Sequence, residues 1–151
     1  MRIFIVLLLI FLLMPISVHD AGEYVYAHEV EEEVVPIEYE KRLAYMVSRG
    51  TIRATEMEIT AYTNADCDKS PSHPLYGVTA SGEYTREGIV AAGEGFPFGT
   101  KLYISGYGEV EVKDRGGAIS NRHLDLWMDD RDSALTWGRK TLTVYILEWG
   151  K

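Results

Sequence analysis

The chain has 151 residues, of which 46% are hydrophobic and 25% are charged, proportions typical of one globular domain. Its formal net charge of −8 argues against nucleic-acid binding, because proteins of that class neutralise phosphates with basic patches. A single cysteine, Cys67, excludes an internal disulfide bond.

Residues 1–27 are predicted to be a signal peptide or an N-terminal anchor. Met1–Arg2 gives a short positive start, and residues 3–18 are almost wholly apolar. A spanning helix needs about 20 apolar residues, so this shorter run better fits the core of a signal peptide. Cleavage after Ala27 or Ala21 follows the small-residue rule, and retention as a membrane anchor stays open. We therefore expect an exported chain.

Residues 28–54 are predicted to be an acidic linker followed by a short helix. The glutamates of residues 28–35 indicate a solvated spacer. Pro36 then favours the start of a helix over residues 37–49, which ends at Gly50. We expect this helix to pack on the following domain or to act as a stalk.

Residues 55–151 are predicted to form a small, mainly β barrel with one or two short helices. Short runs with strand composition, separated by glycine turns, lie at residues 58–63, 77–82, 89–92, 101–104, 109–114, 123–128 and 141–147. A late helix is predicted over residues 132–137, capped by Asp129 or Asp130 and stopped near Gly138. Many short strands with one late helix favour a closed barrel.

Two carboxylates flank a glycine-rich turn in the middle of this domain. Alternation along residues 109–113 places Asp114 on the inward side of its strand. In the next strand Asp125 shares a face with His123 and Trp127. Gly116–Gly117 permits the positive φ angles of a sharp reversal, so the two acids are expected to lie close together.

This arrangement fits the cleavage of a glycosidic bond, in which a carboxylic acid protonates the leaving oxygen. Such an acid requires a raised pKa. Apolar sequence neighbours of Asp125 and a nearby Asp114 would both raise the pKa of the Asp125 carboxyl. The alternatives are an exposed strand acid at Asp125 and a turn-forming Asp114 that bonds backbone amides.

The same residues resemble a known family. Asp-Arg-Gly-Gly-Ala-Ile at residues 114–119, followed by Leu-Asp-Leu-Trp at residues 124–127, is similar to the signature of the three-aspartate (3D) domain, also called the stationary-phase-survival domain. That family resembles the catalytic barrel of membrane-bound lytic transglycosylase A. The similarity extends to four further motifs, at residues 59–63, 77–82, 96–100 and 137–139.

The resemblance implies a double-psi β-barrel that cuts the glycan strands of peptidoglycan. In the resembling transglycosylases one aspartate is first acid and then base, and its position falls on Asp125. It protonates the oxygen between N-acetylmuramic acid and N-acetylglucosamine, and then helps the muramyl 6-hydroxyl close a 1,6-anhydro ring. The supporting aspartate falls on Asp114. Hydrolysis is a variant within the same class.

One position departs from the family pattern. Ala92 stands where the family's first aspartate usually lies. That aspartate is dispensable and structural, or Glu94 replaces it, or activity is reduced; we favour the first. A non-catalytic, expansin-like wall-binding barrel is the alternative function.

The predicted substrate-binding residues surround the two acids. They are Tyr62, Thr79, Ala80, Ser81, Gly116, Gly117 and Trp127. Tyr62 and Trp127 would stack on sugar rings or belong to the core, and residues 79–81 would form a groove wall or a plain strand end. Arg115 and Arg139 would meet a substrate carboxylate or, as we favour, pair with surface acids. The histidines lack metal-ligand spacing, so no metal and no cofactor is predicted.

Overall fold

The computed structural model describes residues 31–67 and 69–151, so the predicted signal peptide lies outside the described residues. A long helix precedes the strands, and a short one lies between the last two. In chain order the elements are α1 (Glu31–Ser48), β1 (Arg53–Tyr62), a 3-10 turn (Asn64–Asp66), β2 (Ile89–Ala92), β3 (Lys101–Ile104), β4 (Gly108–Asp114), β5 (His123–Trp127), α2 (Arg131–Trp137) and β6 (Lys140–Glu148).

The six strands close into a barrel in the order β1-β5-β2-β4-β3-β6. Two pairs are parallel, β1 with β5 and β2 with β4, and the other neighbours are antiparallel. Closure pairs each of these six strands on both sides, so none of them is an edge strand. The predicted mainly β fold, a small closed barrel with two helices, is confirmed.

Alternation along each strand separates an apolar core from an outer face. Val110 and Val112 of β4 and Leu124 and Leu126 of β5 are all buried in one cluster. Further members from the other strands are Met57, Ile59, Val90, Ala92, Leu102, Ile104 and Val144. Because successive strand residues point to opposite sides, the residues between these positions lie on the outer face of the barrel.

Two predicted boundaries are wrong. Helix α1 already begins at Glu31, so the expected acidic spacer is partly helical; glutamate is a good helix former and is favourable near a helix N-terminus. Strand β1 begins at Arg53, five residues earlier than predicted, because its first half pairs with β6 from Arg53 to Ile59.

Helix α1 packs against the outside of the barrel. Leu43 is 2% exposed and clusters with Tyr103 and Tyr145. The Glu40 carboxylate accepts hydrogen bonds from the Ser105 hydroxyl and the Gly106 backbone N–H, at 2.8 and 3.0 Å. The prediction that this helix packs on the domain is therefore confirmed. Within the described residues, no helix is both long and apolar enough to cross a bilayer.

The segment at residues 77–82 is a loop, where a strand was predicted. Gly77 and Gly82 have φ angles of 69° and 89°, which extended backbone does not adopt. A single isolated bridge joins Val78 to Tyr84. By contrast, α2 carries its predicted cap, since the Asp130 side chain accepts a hydrogen bond from the Ser133 backbone N–H.

Candidate active site

Asp114 and Asp125 lie on the outer face of the barrel, on either side of Ala91. Ala91 in β2 is the register partner of Asp114 in β4 and of Asp125 in β5. Neighbouring strands are about 4.8 Å apart, so the two acids are separated by roughly two strand spacings, about 10 Å between Cα atoms. The turn does not place the two acids on neighbouring strands, because β4 and β5 each pair with β2 and not with each other.

A β-bulge decides which way Asp114 faces. Val90 pairs with Val112, but Ala91 pairs with Asp114, so Lys113 is an extra residue in β4. Directly paired residues share a face, and the bulge therefore moves Asp114 from the predicted inward side to the outer face. Uninterrupted alternation could not reveal this shift.

The turn between β4 and β5 uses its glycines differently from the prediction. Gly116 and Gly117 are not among the glycines with positive φ. A Cβ at Gly116 would lie 2.7 Å from Ile119 Cγ1, so a larger residue there would require the Ile119 side chain to shift. Both residues are exposed.

Asp125 is half-buried and its carboxyl is held by a short hydrogen bond from Thr60. Thr60, its register partner in β1, donates from Oγ1 to Asp125 Oδ1 at 2.5 Å. Burial raises the pKa of the Asp125 carboxyl, while the Thr60 bond and the nearby His123 and Arg139 oppose the rise. The predicted rise is thus present. The neighbouring negative charge that adds to it is Asp66, where Asp114 was expected.

His123 is a site residue that sequence analysis did not assign. Its Nε2 atom lies 2.7 Å from Thr60 Oγ1 on the neighbouring strand β1. The same nitrogen is 4.0 Å from Glu58, whose carboxylate is paired with Arg139. The signal was present, because His123 is two residues from Asp125 and shares its face.

Asp114 is fully engaged by donors. Its Oδ1 accepts from the backbone N–H groups of Ala80 and Arg115, both at 2.8 Å. Its Oδ2 accepts from the Tyr62 hydroxyl at 2.7 Å. The bond from the Arg115 N–H is the local contact that the turn-forming alternative predicted. The bonds from Ala80 and Tyr62 also link the turn to a distant loop and to strand β1.

Tyr62 is a neighbour of both acids. Burial, the hydrogen bond to Asp114 and the charges of Asp114, Cys67 and Asp125 all raise the pKa of the Tyr62 phenol. Tyr62 therefore stays protonated and remains a donor to Asp114. Its ring is half-buried.

The other predicted substrate residues differ in how accessible they are. Thr79 is only 5% exposed, whereas Ala80 is exposed and Ser81 is half-buried. The Ser81 backbone N–H donates to the Lys113 carbonyl at 3.1 Å and docks this loop on β4. Trp127 is 8% exposed and its indole N–H donates to Asn64 Oδ1, so little of its ring faces solvent.

Ala92, at the position of the missing family aspartate, points into the core. It is completely buried and pairs with Leu124. Glu94 is exposed in the loop that follows β2. The side chain at this position therefore points away from the outer face that carries Asp125.

The two arginines have different surroundings. Arg139 pairs with Glu58, as the surface-pair alternative predicted. The Arg115 guanidinium donates to the backbone carbonyls of Asp114 and Phe96, at 3.0 and 2.7 Å, and lies 4.0 Å from the centre of the Phe98 ring. Among the described residues it forms no ion pair, so the surface-pair prediction is wrong for Arg115.

The outer face thus carries a half-buried acid with a raised pKa on a small closed barrel. Residues 90–148 match the sequence model of the 3D domain family, in agreement with the resemblance of the motifs.

Two curated relatives, both from Bacillus subtilis (strain 168), are similar in sequence. The chain is 30% identical over 100 residues to the putative cell wall shaping protein YabE, and this alignment covers 66% of this chain and 24% of YabE. It is 36% identical over 93 residues to the cell wall-binding protein YocH, which covers 58% of this chain and 30% of that protein. The chain therefore matches less than a third of the length of either relative.

Among solved structures, the crystal structure of MltA from E. coli is similar to this chain. The similarity covers 54% of this chain and 29% of the MltA chain. Its TM-score is 0.42 and its sequence identity is 21%.

Proposed function

We propose that this chain is an exported, cell-wall-associated enzyme that cleaves peptidoglycan glycan strands as a lytic transglycosylase. Asp125 is the acid and then the base. The observation that carries the proposal is the state of Asp125. It is half-buried, its pKa is raised by that burial, and the Thr60 hydroxyl holds its carboxyl on the outer face. A carboxyl in this state delivers a proton closer to neutral pH than a solvated aspartate does.

The surroundings of Asp125 favour an intramolecular second step over hydrolysis. Hydrolytic glycosidases use a second carboxylate as base or nucleophile. Asp114 is occupied by three donors. Asp66 accepts from the backbone and hydroxyl of Thr63 and pairs with Arg131. Attack by the muramyl 6-hydroxyl needs only one carboxylate, which gives its proton to the leaving oxygen and then takes up the proton of the 6-hydroxyl.

Asp114 has a positioning role in this proposal. Asp114 lies on the side of Ala91 opposite to Asp125. Its hydrogen bonds to Ala80 and Tyr62 join the loop at residues 77–82 to strand β1. The loop, Tyr62 and the exposed glycines at residues 116–117 would then border the glycan. Trp127, on the same face of β5 as Asp125, would pack beside the site.

The names of the two relatives support the cell wall as the place of action. One is named a putative cell wall shaping protein and the other a cell wall-binding protein. The predicted signal peptide agrees with this location. The proposed partner is therefore a peptidoglycan glycan strand.

The test uses purified protein, isolated peptidoglycan and mass spectrometry of the released fragments. We expect the wild type to release 1,6-anhydromuramyl products and Asp125→Asn to release none above background. Asp129→Asn is the matched control, since Asp129 is exposed near the same strand. Equal release by Asp125→Asn and wild type would contradict the role of Asp125, and reducing muramic ends would establish hydrolysis instead.

A non-catalytic wall-binding barrel is the second candidate, favoured by the name of the relative YocH, a cell wall-binding protein. In that case the protein pellets with insoluble peptidoglycan and releases no soluble fragments. The same incubation, analysed by both sedimentation and mass, decides between the two candidates.

A further inference from the structure

We propose that Thr60 and His123 are positioning residues that give the two oxygens of Asp125 different tasks. Oδ1 remains bound to the Thr60 hydroxyl, and Oδ2 carries the proton that is transferred. This inference rests on the proposed function of Asp125 and adds to it which atom reacts and what holds it in place.

The first step is the direction of the hydrogen bonds. A threonine hydroxyl has one hydrogen and can also accept. Thr60 uses that hydrogen on Asp125 Oδ1, at 2.5 Å. Its oxygen therefore accepts from His123 Nε2, which lies 2.7 Å away and must carry a hydrogen. The chain of bonds runs from His123 through Thr60 to Asp125.

The second step concerns the groups around His123, which keep its donor directed at Thr60. On β1, Glu58 lies farther from Nε2, at 4.0 Å, and is already paired with Arg139, which precedes β6. Asp125 lies on the same strand as His123, and Asp66, in the turn after β1, contributes its charge near Asp125. The Thr60 oxygen is thus closer to Nε2 than the Glu58 carboxylate is, and within the described part of the chain it is the acceptor that His123 contacts.

The third step concerns the other oxygen of Asp125. Among the described residues, Asp125 Oδ2 has no hydrogen-bond partner. A buried atom without a partner would be an unsatisfied polar atom, and within the same residues Oδ2 is not one, so it is not buried. It is therefore reached by solvent on the outer face, where a glycan would lie. Since Oδ1 is occupied, Oδ2 is the atom that can face the bridging sugar oxygen.

The two proton transfers then balance on one atom. In the first, the O–H bond at Oδ2 breaks, the proton moves to the bridging oxygen, and the C1–O bond breaks with its electron pair leaving on that oxygen. In the second, the oxygen of the muramyl 6-hydroxyl bonds to C1 while Oδ2 takes the proton of that hydroxyl. The Thr60 hydrogen stays on Thr60 throughout.

The test pairs each disruptive variant with a conservative one in the full chain. Thr60→Val removes the donor and Thr60→Ser keeps it; His123→Phe removes the Nε2 hydrogen and His123→Gln supplies an amide N–H. We expect Thr60→Val and His123→Phe to lower kcat by about 10- to 100-fold with little change in KM, as for a misplaced reacting group. Thr60→Ser and His123→Gln should restore most of the rate. The double variant should be no slower than Thr60→Val, because both residues act through one bond.

A second readout does not require turnover. The titration of the Asp125 carboxyl, followed by carbon NMR, should move to higher pH in Thr60→Val and return in Thr60→Ser, because the ionised carboxylate loses a donor. An unchanged titration in Thr60→Val, or rate losses that multiply in the double variant, would overturn the inference. An inactive wild type whose titration still shifts in Thr60→Val would overturn the proposed function but support the assignment of Oδ1.

Discussion

Tyr62 donates its phenolic hydrogen to Asp114 Oδ2 at 2.7 Å, although β5 and β2 lie between their strands in the barrel. This side chain therefore connects two strands that share no backbone hydrogen bond. Through Asp114 it also reaches the loop at Ala80. The outer face is thus held together by side chains at the place where the backbone pairing offers no direct link between β1 and β4.

Removing the Tyr62 hydroxyl should destabilise the barrel. Tyr62→Phe leaves a half-buried carboxylate with one donor fewer, and hydrogen bonds to charged groups contribute about 1.5–3 kcal/mol. We expect the free energy of unfolding to fall by about 1–2 kcal/mol in urea denaturation. Tyr84→Phe is the control, since Tyr84 is 73% exposed. Equal stability of the two variants would show that the bond contributes nothing.

Asp114→Asn should loosen the loop at residues 77–82 in particular. In the wild type the donors face two carboxylate oxygens. In the variant one of these oxygens is replaced by an NH₂ group, which cannot accept a hydrogen bond. We expect faster hydrogen exchange at the Ala80 amide and a loss of about 1–3 kcal/mol of stability. Asp129→Asn again serves as the control. Unchanged exchange at Ala80 would contradict the positioning role.

The raised pKa of Asp125 predicts a stability that depends on pH in a definite direction. Between its ordinary value of 3.8 and its raised value in the folded state, the folded chain binds more protons than the unfolded chain. The contribution of Asp125 to stability is therefore complete below about pH 3.8 and is lost as the pH rises through the folded-state pKa.

Urea unfolding of wild type and Asp125→Asn from pH 3.5 to 7 measures this effect. The stability of the wild type relative to the variant should decline with rising pH across that window, since asparagine does not titrate. A relative stability that rises with pH would mean that the pKa is lowered in the folded state.

The two glycines of the β4–β5 turn should respond differently to alanine. In Gly116→Ala the new Cβ would lie 2.7 Å from Ile119 Cγ1, whereas at Gly117 nothing lies within 4 Å. We expect Gly116→Ala to cost about 1–3 kcal/mol through overpacking and Gly117→Ala to be neutral or slightly stabilising. Thermal denaturation of both variants tests this. Recovery of Gly116→Ala by a second change, Ile119→Ala, would identify the clash as the cause.

Much of the barrel could be predicted because its strands carry local patterns. The alternation of Val110 with Val112 and of Leu124 with Leu126 identified β4 and β5, and the Asp130 cap with Gly138 identified α2. The segment at residues 77–82 was misjudged because its glycines adopt positive φ, which composition alone does not distinguish from a strand with terminal turns.

The sequence by itself determined that Asp125 shares a face with His123. Side chains two residues apart in a strand point to the same side, whichever strand it pairs with. Only the tertiary structure decided that Thr60, 65 residues earlier in the chain, binds Asp125. It also decided that a bulge beside Ala91 turns Asp114 outward. Register between distant strands depends on how the closed barrel packs its core as a whole, and no local pattern contains that information.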